Sequence, residues 1–294
     1  VLPDASAASA AALVNALLGS NSGIAVVAGS AQYTGAATAS GTFANGGTGS
    51  SGLGIDRGVV LSSGDARFVG SSAAFPGDVA NSTGTFTAGF GNSLTPNMSP
   101  GTSLLSSLSP FGTQNASVLS FNFIPNNQRI TMSIVFGSED YNDALNSGFP
   151  TDVFGIFVNG VNYALVPGSN TPISASSINC GGPTSGAAPN IGGQNCNLYR
   201  DNPPFFDSII TELDGLTTRI DLTIPVNFGA VNSISFAIAD AMDSFGDSAL
   251  LISAGIQAIP EPSTLALGSA AGLLLWLSRR RQARGQSSRG AALS

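Results

Sequence analysis

The sequence predicts an all-β protein: an antiparallel β-sandwich or jelly-roll-like domain, with a short N-terminal helix and a C-terminal transmembrane helix. Three observations carry this. Apolar and polar residues alternate with period two in several separate stretches, the mark of half-buried strands. Between those stretches lie turn formers, with 37 glycines and 16 prolines in 294 residues. Near the C-terminus an uncharged apolar run ends in three consecutive arginines (Arg279, Arg280, Arg281).

The helix is placed at residues 4–18, DASAASAAALVNALL, with Asp4 as N-cap, Gly19 as stop and Leu13, Leu17 and Leu18 on the apolar side. Alternation then marks SVLSFNFIP (Leu119, Phe121, Phe123), RITMSIVFG (Ile130, Met132, Ile134, Phe136), RIDLTIPV (Ile220, Leu222, Ile224) and SISFAIAD (Ile234, Phe236, Ile238). Further strands are expected near 24–28, 56–62, 66–69, 153–158, 161–166, 172–178 and 249–257. Many short strands with such turns favour a sandwich. Residues 70–115, rich in Gly, Ser, Thr, Asn and Pro, are expected to form a long surface excursion. The domain boundary is set at 259, with the tail segment at 260–284 and a disordered end at 285–294.

Charged residues make up 9% of the chain, against roughly 25% in ordinary soluble domains. There is no histidine and every basic residue is arginine. Five of the ten arginines lie behind the apolar tail, so residues 1–260 carry 16 acids, five arginines and a net charge of −11. Such a body repels phosphate backbones and argues against nucleic-acid binding. Without histidine, Ser-His-Asp and Cys-His catalysis are excluded. A carboxylate pair acting as a glycosidase would still be chemically sound, but the one tryptophan, Trp276, sits in the tail and offers no sugar platform. The reading is therefore non-enzymatic.

The acids are few and grouped. Glu139, Asp140 and Asp143 follow one predicted strand in GSEDYND, and Asp152 opens the next. Asp240, Asp243 and Asp247 follow another in ADAMDSFGDS. Calcium takes six to eight oxygens at roughly 2.3–2.6 Å, which Asp-rich loops at strand ends supply. These seven residues are the candidate calcium ligands. The alternatives are a metal in one loop alone, or plain solvated turns, since Asp and Asn are good turn formers. A shared site requires both strands to end on the same side of the sandwich.

Cys180 and Cys196 bracket GGPTSGAAPNIGGQN, a loop by composition. A disulfide is expected if the chain is exported; two free thiols are the alternative. GTGSSG (Gly47, Gly49, Gly52) matches a dinucleotide-loop pattern but has a strand-like segment after it, so it reads as a flexible turn. YRDNPPFF, from Tyr199, reads as a hydrophobic plug over a sheet edge or as a binding lip. A carbohydrate-binding groove would draw on Tyr141, Phe149 or Tyr199.

Pro262 to Ser278 is a 17-residue uncharged stretch. As a helix it spans about 25 Å, the short edge of what crosses a roughly 30 Å hydrocarbon core. The arginines behind it suit the cytoplasmic side. The order Pro260-Glu261-Pro262, apolar run, then Arg279-Arg280-Arg281 resembles the PEP-CTERM sorting signal. The resemblance implies a Gram-negative envelope, transient residence in the inner membrane and removal of the tail by an exosortase-type enzyme. A cleaved signal peptide upstream of Val1 is expected with it.

The body resembles the choice-of-anchor L domain. The matching stretches are GIDRGVVLSSGDA (54–66), VLSFNFIP (118–125), IVFGSEDYND (134–143), TDVFGIFVNG (151–160), YALVPGSNTPIS (163–174), LDGLTTRIDLTIPV (213–226) and ISFAIADAMDSFGDSALLI (234–252). GSED stands where the family pattern has Ser-Glu-Glu, and the cysteine-bracketed insert is peculiar to this chain. The resemblance implies an extracellular domain held by one of several anchors. It is compatible with adhesion, biofilm matrix or envelope structure, with exopolysaccharide binding, or with self-assembly into a filament or surface layer.

Overall fold

The computed structural model describes residues 9–69, 97–141, 145, 151–181, 193–202, 209, 211, 213–242, 244 and 246–260. The chain divides into two units, Val1–Ile259 and Pro260–Ser294. Glu261, Pro262 and Arg279 to Arg281, with the expected transmembrane helix, lie outside the described residues. Among the described residues no helix is long and apolar enough to cross a membrane.

Among its described residues the first unit holds one α-helix and two antiparallel sheets. Helix α1 spans Ala10–Leu17 and is shorter than its sequence pattern. Its N-cap is Ser9, whose side chain accepts a hydrogen bond from the Ala12 N–H, rather than Asp4, which lies outside the described residues. Leu13, Val14 and Leu17 are buried. Leu18 is already extended and bridges to Ile256.

One sheet contains β1 (Ile24–Val26), β2 (Gln32–Thr34), β5 (Thr113–Pro125), β7 (Val153–Val158), β8 (Val161–Asn162) and β12 (Asn232–Ala241), in the order β1-β5-β12-β7-β8 with β2 also on β5. The other contains β3 (Ser40–Phe43), β4 (Gly58–Ser62), β6 (Arg129–Ser138), β9 (Tyr199–Asp201), β10 (Gly215–Thr217), β11 (Ile220–Pro225), β13 (Ser248–Ser253) and β14 (Gln257–Ile259). Its order is β3-β4-β13-β6-β10-β9, with β11 and β14 also paired to β6.

The alternating residues named above meet between the sheets. Phe121, Phe123, Ile134, Phe136, Phe154, Phe236, Ile238 and Leu250 form one core with Leu13 and Leu17 of α1. Phe136 and Phe154 stack across it at 4.8 Å. Part of each outer face is covered as well. Leu53, Ile55, Val69 and Leu213 pack on Val60, Val135 and Leu251, while Leu105 packs with Val153, Phe157 and Ala237. Hence β4 and β7 are buried along their whole length, as continuous apolar runs such as VFGIFV require.

Three segments differ from the sequence reading. Residues 66–69 form a 3₁₀ turn, not a strand. Asp65 sets it, since its carboxylate accepts the Arg67 N–H at 3.0 Å. In 161–166 only Val161–Asn162 is strand. Residues 172–178 are not a strand: Ser174 and Ser177 take each other's backbone N–H groups at 2.9 and 3.2 Å and turn the chain. Of the 70–115 excursion, 70–96 lies outside the described residues. Residues 97–112 pack down through buried Leu105, and Thr113–Asn115 already belong to β5.

Cys180 and Cys196 form a disulfide. GTGSSG closes a turn, with Gly54 N–H donating to Gly47 O at 3.0 Å. The Arg200 guanidinium pins it by donating to Ser50 O at 2.6 Å and Gly52 O at 2.7 Å.

Candidate functional site

The acids after β6 and β12 fall at one end of the domain because those strands lie in opposite sheets. β12 runs antiparallel to β5, with Asn232 opposite Phe123 and Ala241 opposite Thr113. β5 turns through Asn126–Gln128 into β6, which reverses direction in the other sheet. β6 and β12 therefore run the same way. β7 starts at this end, with Val153 opposite Ala239, and so does β13, with Ser248 opposite Ser138.

Five predicted ligands are described here and all are buried: Glu139, Asp140, Asp152, Asp240 and Asp247. Asp143 and Asp243 lie outside the described residues. Asp152 ties the two loops together. Its N–H donates to Asp140 Oδ2 at 2.7 Å, and its Oδ1 accepts the Ala241 N–H at 3.2 Å. The Glu139 N–H donates to the Asp247 carbonyl at 3.1 Å. Gly246, in the left-handed region at φ +72°, passes so near the first loop that a Cβ there would stand 3.1 Å from Asp140 Oδ1 and 3.8 Å from Glu139 Cβ. Asp247 lies over Gly64, where a Cβ would fall 1.9 Å from Asp247 Oδ2.

Asp240 is aimed by a β-bulge. The register slips between Ile238 and Asp240, so β5 carries an extra residue there. Asn115 takes the left-handed conformation at φ +53° and donates through Nδ2 to Asp240 Oδ2 at 2.7 Å. Its own N–H is taken by Ser99 O at 2.9 Å. Beneath the acids runs a polar floor. Ser248 Oγ donates to Ser138 Oγ at 2.8 Å, the Ser248 N–H donates to Ser63 Oγ at 2.9 Å, and Ser138 Oγ accepts the Asp140 N–H at 2.9 Å.

Burial pushes the Asp152 carboxyl well above the ordinary carboxylate range, and the charges of Asp140 and Asp240 push it further. The nearby Ser248 hydroxyl and the Ala241 amide offset this only in part. Asp152 Oδ2 is buried and accepts no hydrogen bond within normal geometry. A carboxyl so placed is favoured by a proton or by a cation. The donors are hard oxygens, which suit calcium. Among the described residues, no group of three or more acidic or cysteine side chains stands in metal-holding geometry as it is.

Tyr141 is fully buried, so it does not line an exposed groove. Its ring lies 4.8 Å from that of half-buried Tyr199, under the β9 edge, and its hydroxyl is raised by burial first and the Asp140 charge second. Tyr199 itself belongs to β9, the last strand of its sheet. Phe149 and residues 203–208 lie outside the described residues. Sequence reading did not pick out Asn115, Gly64 or the serine floor, since Ser, Asn and Gly are also ordinary turn formers. Asn115 closes the 70–115 segment in the sequence reading, outside the alternating stretch SVLSFNFIP.

Fold and site define an antiparallel β-sandwich domain with a buried acidic end, joined at Pro260 to a distinct C-terminal unit. The chain belongs to the choice-of-anchor L domain family, whose model matches residues 3–256. The family description, one domain with a choice of anchors, indicates a surface-anchored, exported protein. No curated protein matches the chain. Two solved structures of a β-glucosidase from Kluyveromyces marxianus are similar in part, each at 14% identity. The glucose complex matches over 49% of this chain and 11% of its own, with a TM-score of 0.23. The selenomethionine-labelled enzyme matches over 54% and 13%, with a TM-score of 0.22. The chain thus spans about a tenth of those proteins, and neither likeness bears on its chemistry.

Proposed function

We propose that the chain is an exported, non-enzymatic cell-surface or extracellular-matrix protein serving adhesion, biofilm or envelope structure, with calcium stiffening its acidic end. Before maturation the tail from Pro260 to Arg284 holds it in the inner membrane of a Gram-negative cell, and an exosortase-type enzyme removes that tail. The observation that supports the calcium reading is the meeting of Asp140, Asp152 and Asp240 at one buried end. Like charges gathered away from water destabilise a fold unless protonated or countered. Calcium supplies the counter-charge and prefers these oxygens. Asp140, Asp152, Asp240, Asp247 and Glu139 are the proposed ligands, and Asp143 and Asp243 continue the same loops in sequence.

A calcium titration followed by thermal melting tests this. The melting temperature is expected to rise and saturate, the stabilisation reaching about 2.7 kcal/mol at a hundred times the dissociation constant. Magnesium should do less, because it gives up its water reluctantly. No shift at millimolar calcium would sink the calcium claim.

A further inference from the structure

The end of the domain opposite the acids has a different surface. It is built from segments 19–24, 124–129, 159–162, 225–232 and 256–260, which contain no acid and one arginine, Arg129, in a body of net charge −11. Phe228 (62% exposed), Val231 (58%), Val161 (55%) and Ile124 (37%) stand out from it. An open cleft of about 580 Å³ runs beside them, lined by Asn21, Ile24, Pro125 and Asn126 among others.

The turn that presents Phe228 and Val231 is firmly held. Buried Asn232 donates to Asn227 O and Ala230 O, each at 2.9 Å, and its Oδ1 accepts the Asn227 N–H and Asn159 Nδ2, each at 2.8 Å. The Gly229 N–H donates to Pro125 O at 3.0 Å. The first unit also ends here: its last residue, Ile259, and Pro225 flank Arg129 on either side of β6.

We infer that this uncharged end rests on the surface of a lipid bilayer while the C-terminal segment occupies the membrane, an inference that rests on reading Pro262–Ser278 as a membrane segment. Four exposed apolar side chains on a rigid base give a small surface of the kind that settles at the headgroup boundary. Alone it binds weakly, but a tether leaving from the same end raises its effective concentration at the bilayer. Among the described residues no acid stands at this end, which lowers the repulsion that the rest of the body would feel from anionic headgroups.

The test uses the full chain reconstituted in vesicles of phosphatidylcholine and phosphatidylglycerol. Trp276, the only tryptophan, reports tail insertion through quenching by brominated lipid. An environment-sensitive dye on Val231→Cys reports the uncharged end, and the same dye on Phe111→Cys, 63% exposed, reports the acidic end. The expected result is Trp276 quenched, the residue-231 dye shifted to the blue and quenched by lipid, and the residue-111 dye unaffected. Trp276 quenched with the residue-231 dye still in water overturns the inference while leaving the membrane reading standing. A blue shift at residue 231 without lipid quenching means protein covers this end, and also overturns it. Trp276 left unquenched overturns both readings.

Discussion

The two ends of this sandwich are made from the same strands and hold opposite chemistries. At one end β6 and β12 finish, β7 and β13 begin, and five buried acids meet over a floor of serines. At the other end the turns carry asparagine, glycine and exposed apolar side chains, and no acid. The difference teaches that the same strands can deliver opposite chemistries to their two ends. One end holds carboxyls away from water, an arrangement favoured by a proton or a cation. The other holds apolar side chains in water on a firmly bonded turn.

The largest effect is expected at the bulge that aims Asp240. Asn115→Ala removes a hydrogen bond to a buried carboxylate and leaves a non-glycine residue at φ +53° without its side-chain partner. Together these should cost about 2–4 kcal/mol in urea unfolding. Asn115→Gly loses the same bond but not the backbone ease, and should recover about 1 kcal/mol of the loss. A loss below about 0.5 kcal/mol for the alanine variant would show that the bulge does not organise the acidic end.

Asp152 gives the next effect, and its sign depends on calcium. Its folded carboxyl is raised above the unfolded value of 3.8, through burial first and then Asp140 and Asp240. In that case the folded state holds the proton more tightly. The contribution is fully present below pH 3.8 and is lost as pH rises through the raised folded value. In chelator, Asp152→Asn should flatten this part of the pH profile and raise stability near neutrality. With calcium present the same change should instead weaken the calcium-induced rise in melting temperature. Parallel melts of both proteins across pH, with and without calcium, read both signs. Equal pH profiles in chelator would mean that Asp152 is not the destabilising charge.

How much of this was legible in the sequence follows from range. Strands whose partners bury one face, such as RIDLTIPV with Ile220, Leu222 and Ile224, announce themselves by alternation. β2, β3, β9, β10 and β14, of three or four residues each, do not. Their own patterns are too short: β2, β10 and β14 become strands because long β5 or β6 offers its backbone, while β3 rests on β4 and β9 on β10. Residues 66–69 alternate like a strand, yet the Asp65 carboxylate captures the Arg67 N–H and coils them. The acids themselves were visible, but their meeting was not. Adjacent antiparallel strands would place them at opposite ends, and only the passage of β5 into β6 across the two sheets brings them together. The uncharged end escaped notice because a missing charge leaves no motif, and its segments are far apart in the chain.

The smallest expected effect sharpens the comparison from the uncharged side. Phe228→Ser with Val231→Ser replaces side chains that are 62% and 58% exposed, on a turn whose hydrogen bonds come from Asn232, Asn227 and the Gly229 backbone. Neither side chain supports that network, so thermal unfolding should shift by no more than about 0.5 kcal/mol. A similar pair at the core, where Phe236 is fully buried, would cost several times as much. If the serine variant proves clearly less stable, Phe228 and Val231 cover the sandwich and are part of its folding. If stability holds while contact with vesicles falls, the two residues serve contact with lipid and not the fold, and the apolar side of the comparison stands on measurement.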